Sequence, residues 1–214
     1  MKKKINAVIG LLFLAGMVAT TLAAQSRYQA GLPLVEMGIP CSGFVTVRRE
    51  GEGIVEVLEN GVCQTTLSFS SEDWVGAIPF RRGDAATVST ADSIAHGEVT
   101  GLLPGKDGTF NFLIQFHSMD VQAGDRVIIS VEKQTSELDT VLPLSALQYD
   151  GAFYVWLVEE IPGPWGYEYA VKKEYVDIWH YGEDQVALSS QISLPVVLSA
   201  EQVLIDGQTV RFSL

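Results

Sequence analysis

Histidine and cysteine are scarce in this chain, with three of the first and two of the second among 214 residues. Most acid–base and metal-ion chemistry draws on those two residue types, so their scarcity narrows the function classes at once. Each histidine has an aspartate close by: Asp92 precedes His96, Asp120 follows His117, and Asp177 precedes His180. Residues three apart on a strand point to opposite faces, so Asp177 and His180 would not meet. His117 and Asp120 fall in HSMDVQAGD, a turn-like stretch where Asp and Ser cap the backbone. Ser145 has no evident base, and no GxSxG, HExxH, P-loop or dinucleotide fingerprint occurs. The expectation is a protein that is not an enzyme, with no catalytic residues, no cofactor and no metal.

Positive charge is also short. Lys and Arg total 14 against 26 Asp and Glu, a formal net charge of −12. Three of those bases, Lys2, Lys3 and Lys4, precede any folded region, so the body is more acidic than the whole. Such a surface repels phosphate backbones, which argues against a nucleic-acid partner. The two cysteines, Cys41 and Cys63, lie in no CxxC and near no histidine, which disfavours zinc. They leave two readings open. One is a disulfide closing a loop of about 20 residues, contributing roughly 3 kcal/mol. The other is a pair of free thiols on neighbouring strands.

Only one long hydrophobic run exists. INAVIGLLFLAGMVATTLAA, residues 5–24, carries no charge and follows three lysines. As a helix it spans about 30 Å, the thickness of a bilayer's hydrocarbon core. Positive residues before it orient the N-terminus inside and the remainder outside. A signal anchor over residues 1–25 and a signal peptide cut near Thr21-Leu22-Ala23 both fit. Either places the bulk of the chain outside the cytoplasm, and the anchor makes it a single-pass cell-membrane protein.

Helical periodicity is otherwise absent beyond a short candidate over 71–78, where Ser70 caps and Asp73 completes the pattern. SRYQAGLPLVEMGIP, within residues 26–40, reads as a linker. From there on, alternating or solid apolar runs are separated by Gly, Asp and Asn turns, an all-β pattern. Expected strands include 44–50, 53–59, 63–70, 86–90, 96–103, 109–116, 126–133, 152–160, 167–179, 186–190 and 196–199. GDAATVS (83–89) and GDRVIIS (124–130) share a shape, a Gly-Asp turn launching an apolar strand. Two such entries suit a small closed barrel. Aromatics concentrate late, at Trp156, Trp165, Tyr167, Tyr169 and Trp179. Alternate aromatics of this kind ordinarily face a core, but Trp165 sits in the hairpin tip IPGPWGYE, where it is a candidate contact for a partner or for lipid headgroups.

TVLPLSALQYDGAFYVWLVEE (140–160) resembles the junction between the β-barrel and the membrane-proximal domain of haemolysin-D-type membrane fusion proteins, the periplasmic adaptors of efflux and secretion pumps. Val141 to Leu147, Asp150-Gly151 and Phe153 to Val158 carry that resemblance. Upstream, Gly83-Asp84, Gly97 to Val99 and Ala123-Gly124-Asp125 are similar to the family's barrel. Downstream, the stretch to Asp206-Gly207 is similar to the end of its membrane-proximal domain. The family's lipoyl and helical-hairpin domains have no counterpart in residues 26–70. The resemblance therefore implies a shortened, mainly β adaptor: anchor, barrel domain over 41–140 with a first membrane-proximal strand near 44–59, and membrane-proximal domain over 141–214. It further implies docking on a membrane transporter, a permease or ATPase, with self-association open. The rival reading is an exported β-rich module binding a cell-wall glycan or a surface protein.

Overall fold

A computed structural model describes residues 2–59, 61–70, 75–90, 92–105, 108–118 and 120–212, with side chains from Leu14 onward. The chain is mainly β. One helix, α1 (Lys2–Ala30), leads to β1 (Leu34–Gly38), β2 (Cys41–Gly43), β3 (Thr46–Ile54), β4 (Glu56–Val57) and β5 (Cys63–Ser70). Next come β6 (Ala85–Ser89), β7 (Ile94–Pro104), β8 (Thr109–Phe116), β9 (Arg126–Gln134) and β10 (Leu138–Pro143). A 3-10 turn (Leu144–Ala146) precedes β11 (Gln148–Tyr149), β12 (Phe153–Gly163), β13 (Gly166–Tyr175) and β14 (Ile178–Tyr181). The last strands are β15 (Gln185–Leu188), β16 (Val196–Ala200) and β17 (Thr209–Phe212).

These elements form two compact units whose sequences interleave. Unit 1 holds residues 1–39, 155–174 and 194–214; unit 2 holds 40–154 and 175–193. In unit 1, strand order β12-β13-β17-β1-β16 returns on itself, because β16 also pairs with β12 through Leu157 and Val196. The result is a closed five-stranded ring. Val35, Val158, Val171, Val197, Leu204 and Val210 fill it.

Unit 2 contains a seven-stranded sheet in the order β3-β9-β6-β7-β8-β5-β4. Its alternation is that of a sheet with one dry face: in β5, Cys63, Thr65 and Leu67 are buried and their neighbours are not. The core holds Val47, Val88, Val99, Phe112, Ile114, Phe116, Ile129 and Val131. The chain bends at buried Val55 between β3 and β4, and β4 pairs with β5. Two glycines let β3 lie against β5. A Cβ on Gly51 would stand 2.6 Å from the Leu67 side chain, and one on Gly53 would collide with Thr65 and Ile129. Thr65 Oγ1 donates to the Ile54 carbonyl at 3.0 Å across that seam. The sheet thereby closes into a barrel.

The likeness of GDAATVS and GDRVIIS extends to the fold. Gly83 and Gly124 have φ of 92° and 93°, as the third position of a type II turn requires. Asp84 Oδ2 accepts from the Arg81 amide at 2.6 Å, and Asp125 Oδ2 from the Gln122 amide at 2.7 Å. Gly83 and Asp84 exchange backbone bonds with Val99; Gly124 and Asp125 do the same with Val55. β6 and β9, launched by the two turns, pair with each other. Exchanging β3/β4 with β7, β5 with β8 and β6 with β9 preserves every pairing in the ring. The barrel has internal pseudo-twofold symmetry.

Several sequence expectations change here. Residues 53–59 are divided: Gly53 and Ile54 end β3, whose backbone pairs with β9 along its full length, and only Glu56–Val57 form a strand of their own, the short β4. Residues 26–40, expected as a linker, contain the end of α1 and β1, whose Val35 is 1% exposed inside unit 1. Pro143, expected between two domains, ends β10 in a four-stranded sheet β14-β15-β10-β2 of unit 2, and Val141 belongs to that unit's core. The chain passes to unit 1 only after Tyr154. Of the short helix expected at 71–78, residues 71–74 lie outside the described residues. The remainder is extended: Gly76 bridges to His180, and the Ala77 amide donates to the Trp179 carbonyl at 2.6 Å. Among the described residues no helix is long and apolar enough to cross a membrane. Residues 5–13 of the apolar run expected as an anchor lie outside the described side chains; Leu14, Met17, Val18 and Leu22, which follow, are exposed.

Candidate interaction surface

The β12–β13 hairpin of unit 1 ends in Ile161-Pro-Gly-Pro-Trp-Gly-Tyr167. Pro162 and Pro164 have no amide hydrogen to extend the ladder, and Gly166 turns the chain at a φ of 122°. Beyond the tip, strict alternation takes over. Tyr167 and Tyr169 point outward, 77% and 41% exposed, while Glu168 and Ala170 point inward. Trp165 is 40% exposed at the turn itself. The Tyr169 ring rests on Phe212, centroid to centroid 4.7 Å. This tip carries no charged residue in a strongly acidic chain.

Glu168 joins the hairpin to α1. Its carboxylate is buried over Gly163, where there is no space for a Cβ. Oε2 accepts from the Tyr28 hydroxyl at 2.9 Å, and Oε1 has no partner among the described residues. The bond to Glu168 pushes the Tyr28 hydroxyl above its ordinary pKa of 10.0, with desolvation adding to it. Two more bonds fix the helix exit: Arg211 Nε donates to the Leu32 carbonyl and the Arg211 amide to the Pro33 carbonyl. Neither Tyr28 nor Glu168 stood out in the sequence. The inward phase of Glu168 on an alternating strand was the one available signal.

The residues singled out for chemistry do not converge. His96 and His117 are exposed, and among the described residues no hydrogen bond or ion pair joins His96, His117 or His180 to its neighbouring aspartate. The Ser118 hydroxyl accepts from the Asp120 amide, a turn cap. His180 is buried on β14, its Nδ1 donating to the Ala77 carbonyl at 3.0 Å. Burial lowers its pKa below 6.5, and the Ala77 bond partly opposes that. It borders a depression of about 340 Å³ with Arg81, Lys133 and exposed Trp179. Lys133 Nζ there is already held by both Asp84 oxygens at 2.8 Å. A second depression, about 510 Å³, collects Asp92, Asp120, Asp125 and Arg126 at one rim of the barrel. Among the described residues no group of His, Cys, Asp and Glu is arranged to hold a metal. Cys41 and Cys63 are both free thiols, the first exposed on β2 and the second buried on β5; they are not bridged, and their strands lie in different sheets rather than side by side. Trp156 packs against the unit 1 core and Trp165 does not, which separates the late aromatics into core and surface sets.

No family model and no curated protein matches this chain. Among solved structures, the crystal structure of ZneB from Cupriavidus metallidurans is similar, at 19% sequence identity and a TM-score of 0.40. The match covers 68% of this chain and 42% of that one, so the chain spans about two-fifths of the length of the protein it matches. A likeness of this size carries no argument about function. What the surface itself offers is a charge-free aromatic hairpin, tied by one buried carboxylate to the end of an apolar helix.

Proposed function

We propose that this chain is a membrane-anchored, extracytoplasmic, adaptor-like accessory subunit of a transporter, of the shortened kind its resemblance to haemolysin-D-type adaptors implies. The observation that carries this reading is the nesting of the two units. α1 runs through Gly31–Pro33 straight into β1 of a closed barrel, and the whole of unit 2 is inserted in that barrel's sequence. A helix tied to one β unit, with a second β unit inserted in that unit's sequence, suits a scaffold that holds a neighbour. The function is performed by packing β surfaces and loop tips, without bond-making chemistry, against a permease or ATPase in the same membrane.

Purification of the tagged full chain from its native membrane in mild detergent tests this. Co-elution of an integral-membrane permease or ATPase is the expected result. Recovery of the chain alone, with no transporter encoded beside its gene, overturns the proposal. Exposure of Trp165, Tyr167 and Tyr169 favours a second reading, an exported glycan-binding module. A glycan screen comparing wild type with Trp165→Ala decides it: binding by neither removes this reading.

A further inference from the structure

Resting on the membrane-anchored reading above, we propose that the hairpin tip Pro164–Tyr167 seats in the headgroup layer of the bilayer that receives α1, so that the chain grips the membrane at two points.

Three observations lead there. The first is the bare helix. Residues 14–24 are exposed on every side of α1, and Leu14, Met17, Val18 and Leu22, along one broad face of it, are between 53% and 66% exposed. A helix that is apolar all round needs apolar surroundings. None of the described residues covers them, and the twenty uncharged positions 5–24 match a bilayer's thickness. The apolar character ends between Ala24 and Arg27, which sets the level of the membrane border along the helix.

The second is the position of that border against the hairpin. Tyr28 lies one helical turn past Ala24, about 6 Å along the axis. Its hydroxyl is bonded to Glu168, and Glu168 packs over Gly163, so the bond meets the hairpin one residue pair from its tip. Trp165 is two residues beyond Gly163, in the turn itself. The Tyr28–Glu168 bond thus ties the hairpin, next to its tip, to the helix just past its apolar run. The Arg211 bonds to Leu32 and Pro33 keep the intervening chain from swinging away.

The third is chemistry. Residues 161–167 carry no charge; of the two acids that flank them, Glu168 is turned inward and Glu160 is exposed at the base of the tip. Everywhere else the acidic body is repelled by anionic lipid. Trp and Tyr are the residues favoured at the border of water and hydrocarbon, where one end of the ring is apolar and the other wet. A lipid surface suits this tip; a groove in a soluble partner would not account for its being fastened to the helix.

The test uses the full chain reconstituted into phosphatidylcholine vesicles, some with brominated acyl chains that quench nearby tryptophan. Wild type, Trp165→Phe, Trp179→Phe and Tyr28→Phe are compared, and flotation reports vesicle association separately. The expected result is quenching of wild type that is mostly lost in Trp165→Phe and retained in Trp179→Phe. Tyr28→Phe should weaken the quenching while flotation stays unchanged. Flotation with equal quenching of wild type and Trp165→Phe overturns the inference and leaves the anchor standing. Failure to float overturns both. Shielding of Trp165 that arises only when transporter is co-reconstituted assigns the tip to a protein contact and also overturns it.

Discussion

Replacing Asp84 or Asp125 by alanine should cost the barrel unequally, by the worth of one ion pair. The two aspartates occupy equivalent turns, each accepting the amide three residues back at 2.6 and 2.7 Å. Each turn makes the same pair of backbone bonds to a buried valine on the facing strand. Only Asp84 has a second partner, with Lys133 Nζ at 2.8 Å from both oxygens and side chains 26% and 18% exposed. A hydrogen bond to a charged group contributes about 1.5–3 kcal/mol, so Asp125→Ala should cost about 2. Exposed ion pairs contribute about 0.2–1 kcal/mol, and this one is mostly covered, so Asp84→Ala should cost about 1 kcal/mol more. Lys133→Met should reproduce the difference alone, since Asp84, 18% exposed, keeps its bond from the Arg81 amide. Amide hydrogen exchange at Ile114 and Ile129, deep in unit 2, reads that unit without assuming that both units unfold together. Equal losses in the two aspartate variants would refute the ion-pair contribution. A loss below about 0.5 kcal/mol in Asp125→Ala would refute the account of the turn itself.

Other outcomes follow from single sites. Burial holds His180 below 6.5, so on acidification the unfolded chain binds its proton first; that stability is whole above about pH 6.5 and is lost as pH falls through the folded value. Melting temperatures across that range should slope in wild type and flatten in His180→Gln. The Glu168 bond raises Tyr28 above 10.0, so its contribution is whole below about pH 10 and lost as pH rises through the folded value. Ultraviolet titration of wild type against Glu168→Gln should show Tyr28 returning toward 10.0 in the variant. Phe112→Ala should cost about 3–5 kcal/mol by denaturant titration of unit 2. Phe112 is fully buried against the rings of Phe69 and Phe80, at 4.8 and 5.3 Å. A maleimide should label Cys41 in the native protein and Cys63 only after unfolding, because one thiol is exposed and the other buried.

Some elements were legible with their bounds. β5 and β8 coincide with the runs 63–70 and 109–116, since period-two alternation between turn residues leaves little freedom. The Gly-Asp likeness was legible because a type II turn needs glycine at one fixed place. β1 was not: Pro33, Gly38 and Pro40 around it read as a linker, and what makes it a strand is pairing with β16 and β17, more than 150 positions on. Tyr28 and Glu168 were silent for the same reason, being 140 residues apart. β14 was merged with β13 in the run 167–179, as Val176 and Asp177 carry no breaker; the chain separates there because its two sides belong to different units.

By itself, then, the sequence determined the β character, the turn chemistry, the one apolar helix and the uncharged aromatic tip. Each follows from interactions among residues close along the chain, where propensity and period act directly. The tertiary structure alone decided which strands share a ring, that unit 1 is assembled from three separate segments, and that the end of α1 meets the β12–β13 hairpin. Those outcomes depend on closing sheets between distant strands, and many strands with the same alternating pattern are interchangeable until register, glycine clearance and barrel closure choose among them.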